Sequence, residues 1–216
     1  GSTAVGEATT LPSGEFGLSV KWDRELGSGY SRVVVAGDLA VTMFTAGEVD
    51  VVAAFDPASG EESWRSGLGA TSAGHSGSDD GPLSTPAVAD GRVFSVGPRG
   101  GVAALALDDG TEIWRHQLDE ENSSPPFYGF TTTPVIAAGN VIVATGGDGH
   151  AVTAFDPASG EVRWTAGNDS VRYQTPTLLD LGGRPTLVLA GDNLILGLDP
   201  ATGEIRFEHA HGEAGR

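Results

Sequence analysis

Phe155-Asp-Pro-Ala-Ser-Gly-Glu-Val-Arg-Trp164 is the stretch that decides the fold, because the chain writes it four times. The other copies are Phe55-Asp-Pro-Ala-Ser-Gly-Glu-Glu-Ser-Trp64, Leu105-Ala-Leu-Asp-Asp-Gly-Thr-Glu-Ile-Trp114 and Leu198-Asp-Pro-Ala-Thr-Gly-Glu-Ile-Arg-Phe207. Each sets an apolar residue and a large aromatic one eight intervening residues apart. The aromatic recurs at intervals of 50, 50 and 43 residues, with an earlier isolated copy at Trp22. Periods of that size mean stacked repeats, here propeller blades.

The residues inside the copy describe a hairpin. Proline presets φ for a turn, and aspartate caps the backbone amides that follow it. Gly60, Gly110, Gly160 and Gly203 supply the positive φ that closes a short hairpin with a bulge. An apolar strand precedes each turn: Val51 to Phe55, Val102 to Leu107, Val152 to Phe155 and Leu194 to Leu198. The strand after it is more polar and carries one aromatic, which suits an inner strand followed by a solvent-facing edge.

Working outward, Ser84-Thr85-Pro86-Ala87-Val88-Ala89 reads as a strand, Asp90-Gly91 as a tight turn and Arg92 to Val96 as a second strand. Thr133-Pro134-Val135-Ile136 with Val141-Ile142-Val143 repeats this, as does Thr175-Pro176-Thr177 with Thr186 to Leu189. Blade one lacks the Thr-Pro pair and offers Ser31 to Val35 with Leu39 to Met43. Proline cannot donate to a ladder, so it belongs at the start of a strand. Four strands per unit and no helical periodicity give an all-β fold of four-stranded antiparallel blades. Four blades span about 30–72, 82–118, 131–167 and 173–210. Trp22 reads as the centre of a fifth outer strand, 19–26, with no blade of its own. The surplus strand implies further blades, so the chain is expected to be roughly half of a propeller. Residues 1–17 form an extension whose Gly1-Ser2 reads as a cloning remnant, and 213–216 a C-terminal end.

Composition narrows the chemistry. Glycine at 33 of 216 residues fits a turn-dense β protein, since apolar strands separate the glycines. With no cysteine there is no disulfide, thiolate metal site or cysteine nucleophile. A formal net charge of −17 argues against nucleic acid, whose phosphates it would repel.

The turn motif, the Thr-Pro strands and the placed aromatic together resemble the pyrroloquinoline-quinone-like (PQQ-like) β-propeller repeat, in its BamB-like branch. Gly29-Tyr30-Ser31, Asp80-Gly81-Pro82-Leu83-Ser84-Thr85-Pro86, Tyr128-Gly129-Phe130 and Leu181-Gly182-Gly183-Arg184 share in the likeness, which covers about 18–212. The resemblance implies a ring of about eight blades, with Trp22, Trp64, Trp114, Trp164 and Phe207 docking between neighbouring blades. It also implies an exported, periplasmic or cell-surface scaffold that binds a protein or small ligand without catalysis. The alternative is part of a quinoprotein dehydrogenase. Such enzymes hold the quinone over a calcium ion on the propeller axis, and the better-known members carry a Cys-Cys pair that is absent here. Neither PQQ, calcium nor another metal is expected.

Few residues suggest chemistry. Gly74 to Gly81 is oxygen-rich but lacks the spacing of a calcium loop, and Gly146 to His150 reads as a hairpin turn rather than a phosphate cradle. His209 and His211 share one face of an edge strand. The long loops between blades, 66–82, 119–130 and 167–173, lie on one propeller face and are the candidate partner surface. Their candidate residues are His75, Asp79, Asp80, Phe127, Tyr128 and Tyr173, with Asp119, Glu120, Glu121, Pro125 and Pro126 leading into the aromatic pair. For assembly two expectations stand: further blades in a longer chain, or a homodimer closing an eight-bladed ring through raw flanks near Val33 to Val35 and Leu187 to Leu189.

Overall fold

A computed structural model describes residues 17, 19–118, 126–171 and 173–211. Asp119, Glu120, Glu121 and Pro125, and all of both terminal segments but Gly17, lie outside the described residues. Among the described residues sixteen strands form four antiparallel sheets, each with its strands in chain order. Blade one is β1 Val34–Ala36, β2 Leu39–Ala46, β3 Val49–Phe55 and β4 Glu62–Ala70. Blade two is β5 Ala87–Ala89, β6 Arg92–Val96, β7 Gly101–Ala106 and β8 Glu112–Gln117. Blade three is β9 Val135–Ala137, β10 Asn140–Ala144, β11 Gly147–Phe155 and β12 Val162–Asp169. Blade four is β13 Thr177–Asp180, β14 Pro185–Ala190, β15 Leu194–Leu198 and β16 Ile205–Ala210.

The repeated copy is one register, used four times. Ala54 faces Trp64, Ala104 faces Trp114, Ala154 faces Trp164 and Gly197 faces Phe207, with a bulge immediately beyond each pair. In the turn, the Gly60 amide donates to the Asp56 carbonyl at 2.7 Å, and Ala58 and Ser59 donate to the Asp56 carboxylate at 2.6 and 2.8 Å. The four turn glycines have φ between 73° and 75°.

Most of the core lies between blades; one further cluster, Phe44, Val51, Ala53 and Phe55, belongs to blade one alone. Val41, Met43, Val52, Ala54 and Trp64 of blade one pack on Val93 and Leu105 of blade two. Phe94, Val102, Ala104 and Trp114 of blade two pack on Val141, Val143 and Phe155 of blade three. A third cluster joins Ile142, Val152 and Ala154 to Leu187, Leu189, Leu196 and Leu198. Because both faces of the third strand of a blade are covered, β3 and β7 are nearly continuous apolar runs, and β11 is one only from Ala151 to Phe155, broken by Thr153. The small residue opposite each tryptophan leaves room for the indole. Each indole in turn lies on the turn glycine of the next blade. An added Cβ on Gly110 would stand 2.4 Å from the Trp64 ring, and one on Gly160 would stand 2.6 Å from that of Trp114.

Three sequence expectations change. Residues 19–26 form no strand, and among the described residues no strand pairs with them. They still reach blade one: the Trp22 ring lies against Gly60, its Nε1 donates to the Pro57 carbonyl at 2.9 Å, and Arg24 Nε donates to the Gly60 carbonyl. Gly146 to His150 is not a simple hairpin turn. Gly147 and Asp148 pair with Asp169 and Asn168, so β11 starts early and carries a bulge before Val152. Leu187 and Leu189 are fully buried against blade three, and the outward flank of blade four is instead formed by their alternates, with Leu179 and Phe207 exposed.

Candidate functional site

Antiparallel order fixes two faces. The Asp-Pro turns between third and fourth strands all lie on one, and the connections from each blade to the next on the other. On that second face three loops converge on a cleft of about 400 Å³. Tyr30 reaches it from the segment before β1; Ser72, Ala73, Gly74, His75, Ser78 and Asp79 come from the loop after β4. Tyr128 and Thr131 enter from the loop before β9, and Tyr173 from the one before β13.

The first loop is internally braced. Gly74 donates to the Asp80 carboxylate at 2.7 Å, His75 donates to Ser78 Oγ at 2.9 Å, and Ser76 and Gly77 take φ of 54° and 89°. The Asp79 amide donates to the Tyr30 hydroxyl at 3.0 Å, tying this loop to the entry of blade one. The aromatic rings then form a chain across the face. His75 lies 5.1 Å from Phe127 and 6.4 Å from Tyr128. Phe127 meets Tyr128 edge-on at 5.1 Å, and Tyr128 meets Tyr173 at 5.8 Å with the rings inclined at 55°. Phe127 stands on the rim with 68% of its surface exposed.

Five of the six candidate loop residues thus meet at one place: His75, Asp79, Phe127, Tyr128 and Tyr173. Asp80 does not line the cleft, because its carboxylate is turned to the Gly74 amide. Sequence reasoning missed Tyr30, Leu83 and Thr131. Tyr30 had a signal, its place in the Gly-Tyr-Ser step before the first strand, but nothing there said that it would cross to another loop. Among the described residues Thr131 Oγ1 is buried with no hydrogen-bond partner.

Beneath this face Asp50 and Asp169 hold loops. Burial pushes Asp50 above the ordinary carboxylate range, against hydrogen bonds from Thr45 and Ser72 and the nearby Arg99. Its charge therefore costs stability at neutral pH, a cost relieved as pH falls through the raised value. Asp169 also resists charge by burial, but donors from Asn193, Leu194 and Ser170 outweigh that and hold its carboxyl below the ordinary range. His116 sits below the usual imidazole value because it is half-buried.

The inner strands line a second, axial groove of about 820 Å³. Here the Thr-Pro step gains a purpose that periodicity did not reveal. Arg32 N donates to Thr85 Oγ1 at 3.2 Å, Thr85 N to Thr133 Oγ1 at 3.3 Å, and Thr133 N to Thr175 Oγ1 at 3.1 Å. One hydroxyl per blade thus accepts the amide of the blade before it.

Among the tryptophans, Trp64 Nε1 donates to the Leu107 carbonyl at 2.8 Å and Trp114 Nε1 to that of Pro157 at 3.0 Å. Trp164 lies on Gly203, but Asn140 Nδ2 already donates to the Pro200 carbonyl at 2.8 Å, and the Trp164 Nε1 has no partner among the described residues. Phe207 lies over Gly197 of its own blade. His209 is exposed, and His211, just past β16, lies beside the Gly191 carbonyl at 3.1 Å. Among the described residues no cluster of three His, Asp or Glu is placed to hold a metal ion, and no helix is long and apolar enough to cross a membrane.

Residues 47–216 match the sequence profile of the family described as outer membrane protein assembly factor BamB. The outer membrane protein assembly factor BamB of Burkholderia pseudomallei (strain K96243) is 31% identical over 194 residues, 89% of this chain and 43% of that protein. The chain therefore spans less than half the length of this curated relative. Among solved structures, BamB from Moraxella catarrhalis superposes with a TM-score of 0.60 at 20% identity, over 85% of this chain and 52% of that one. Quinohemoprotein alcohol dehydrogenase from Comamonas testosteroni gives 0.61 at 17%, over 86% and 35%. At such identities the structures speak for the fold alone, and both are similar to it equally. With four meander blades in one register and the profile match over most of its length, the chain belongs to the BamB family of PQQ-like β-propellers.

Proposed function

We propose that this chain is part of a non-catalytic propeller scaffold that binds a protein partner in the bacterial cell envelope, in the assembly of outer-membrane proteins. The observation that carries this reading is the aromatic chain His75-Phe127-Tyr128-Tyr173. It is assembled from three separate loops and left open to solvent, although the interblade core is complete without it. Exposed aromatics held on a rigid frame are the usual anchors of protein interfaces. The names of the similar proteins supply the setting.

Quinone catalysis fits the residues poorly. The axial groove is lined by threonine, proline and aliphatic side chains with Arg32 and Tyr30, and among the described residues no carboxylate lines it. Calcium prefers six to eight oxygen ligands with anionic ones among them, which this lining lacks.

A photo-reactive amino acid at position 127, introduced in cells, tests the scaffold reading, with position 59 on the opposite face as control. A discrete adduct with an envelope protein at 127 and none at 59 is expected. Absence of any adduct, or dye-coupled turnover with PQQ and calcium, would overturn it.

A further inference from the structure

The geometry points to a recognition site for a positively charged side chain, an arginine or lysine of the partner, in the cleft between Tyr30, His75, Tyr128 and Tyr173. The inference rests on the scaffold reading and names the chemistry of its contact. Four observations lead to it. The cleft walls are aromatic, and Tyr128 and Tyr173 are inclined at 55° rather than stacked flat on one another, so neither ring covers the face of the other. Tilted aromatic walls are how proteins hold organic cations, through the negative potential over each ring.

Asp79 provides the countercharge. It lines the cleft, and its amide is fixed by the Tyr30 hydroxyl, which sets where the residue stands. Among the described residues no lysine or arginine lines the cleft beside it. The volume of about 400 Å³ falls within the range of small-ligand clefts, roughly 300–1,000 Å³, and is ample for one long side chain with its flanking backbone. Finally, the whole chain carries a net charge of −17, so a basic partner is drawn toward it and an acidic one repelled. The aliphatic stem of such a side chain would run along Leu83 and Ala73, and its charged head would meet the rings and Asp79.

The test uses the intact chain and three blocked tripeptides, acetyl-Gly-X-Gly-amide, with X arginine, lysine or the neutral isostere citrulline. Tyrosine and histidine ring resonances are followed by NMR, with tetramethylammonium as the arm for a bare small cation. The arginine peptide should shift Tyr30, His75, Tyr128 and Tyr173 saturably, on the order of tenfold more tightly than citrulline. Asp79→Asn and Tyr128→Leu should each weaken it several-fold, and added salt should weaken it further. Asp79 is surface-placed, so its variant keeps the fold if the melting temperature is unchanged. Equal binding of arginine and citrulline peptides, or shifts spread away from the cleft, overturns the inference. Saturation by tetramethylammonium with indifference to the peptides also overturns it, by making the cleft a small-molecule site. An adduct at position 127 that persists while the peptides fail leaves the scaffold reading standing and this one refuted. Arginine-selective binding with no adduct does the reverse.

Discussion

Trp114 shows what one residue of the repeat contributes. It is 7% exposed, lies between Phe94 and Phe155 at 6.2 Å from each, and donates to the Pro157 carbonyl. Trp114→Ala should cost about 3–5 kcal/mol in denaturant melts, as large aromatic truncations in cores do, and a loss below about 1 kcal/mol would mean that the indole is not docked. A finer comparison separates the ring from its N–H. Trp114→Phe gives up a hydrogen bond, whereas Trp164→Phe gives up none, because Asn140 holds the carbonyl that Trp164 would need. The first should therefore be more destabilising than the second by about 1 kcal/mol; equal melts would show that the bond at Trp114 has no net value. The position of each tryptophan was legible in the sequence from its period. The exchange at blade four was not, since Asn140 and Pro200 are sixty residues apart and no local pattern joins them.

The turn is the element in which sequence and structure agree most closely, because its residues act on their own backbone. Asp56, Asp156 and Asp199 each accept amides one turn on, and each glycine holds the φ its position requires. Gly160→Ala meets two obstacles at once: a φ of 74° that a Cβ disfavours, and the Trp114 ring 2.6 Å from that Cβ. It should cost more than about 2 kcal/mol, while Ser159→Ala, on the exposed side of the same turn, costs a few tenths. Equal melting temperatures for the two would refute this account of the turn. Acid titration examines the aspartate separately. The Ser159 and Ala158 amides, and then Arg163, hold the Asp156 carboxyl down to about 2. A depressed carboxyl stabilises the fold above its ordinary value and loses that contribution as pH falls through the lowered one. Asp156→Asn should thus lower the melting temperature at pH 7, with the gap to the unsubstituted protein closing toward pH 2; a gap independent of pH would contradict it. The inner strands were less legible. Thr85, Thr133 and Thr175 look like strand starters in sequence, and only the ring arrangement shows each accepting the amide of the blade before.

At the scale of the whole arc, the sequence gives the number of blades and their order but not what happens at its flanks. A strand was expected around Trp22, and its aromatic landed on the anticipated kind of surface without the strand. Position in the repeat fixes where an indole docks, while a ladder also needs a partner strand. The segment rises from the Gly60 turn to the far end of β2, where Thr45 N donates to the Ser28 carbonyl and Gly29 lies against Phe44. On blade one Phe44, Val51, Ala53 and Phe55 form a buried cluster. On blade four, among the described residues, Phe207 lies on no turn glycine of another blade and is 39% exposed. A second copy closing the ring would bring its blade four against blade one, and its Phe207 to the Gly60 turn, where Trp22 already sits. Ring closure and a docked Trp22 therefore compete for one site. The intact chain should scatter light at micromolar concentration as a particle of 22.0 kDa. Trp22→Ala, which vacates the turn and loosens the segment over apolar surface, should shift the mass upward with concentration. If the intact chain scatters at twice its own mass, the partner's blade four has displaced Trp22; if both proteins scatter alike as monomers with equal melts, Trp22 does not guard that flank.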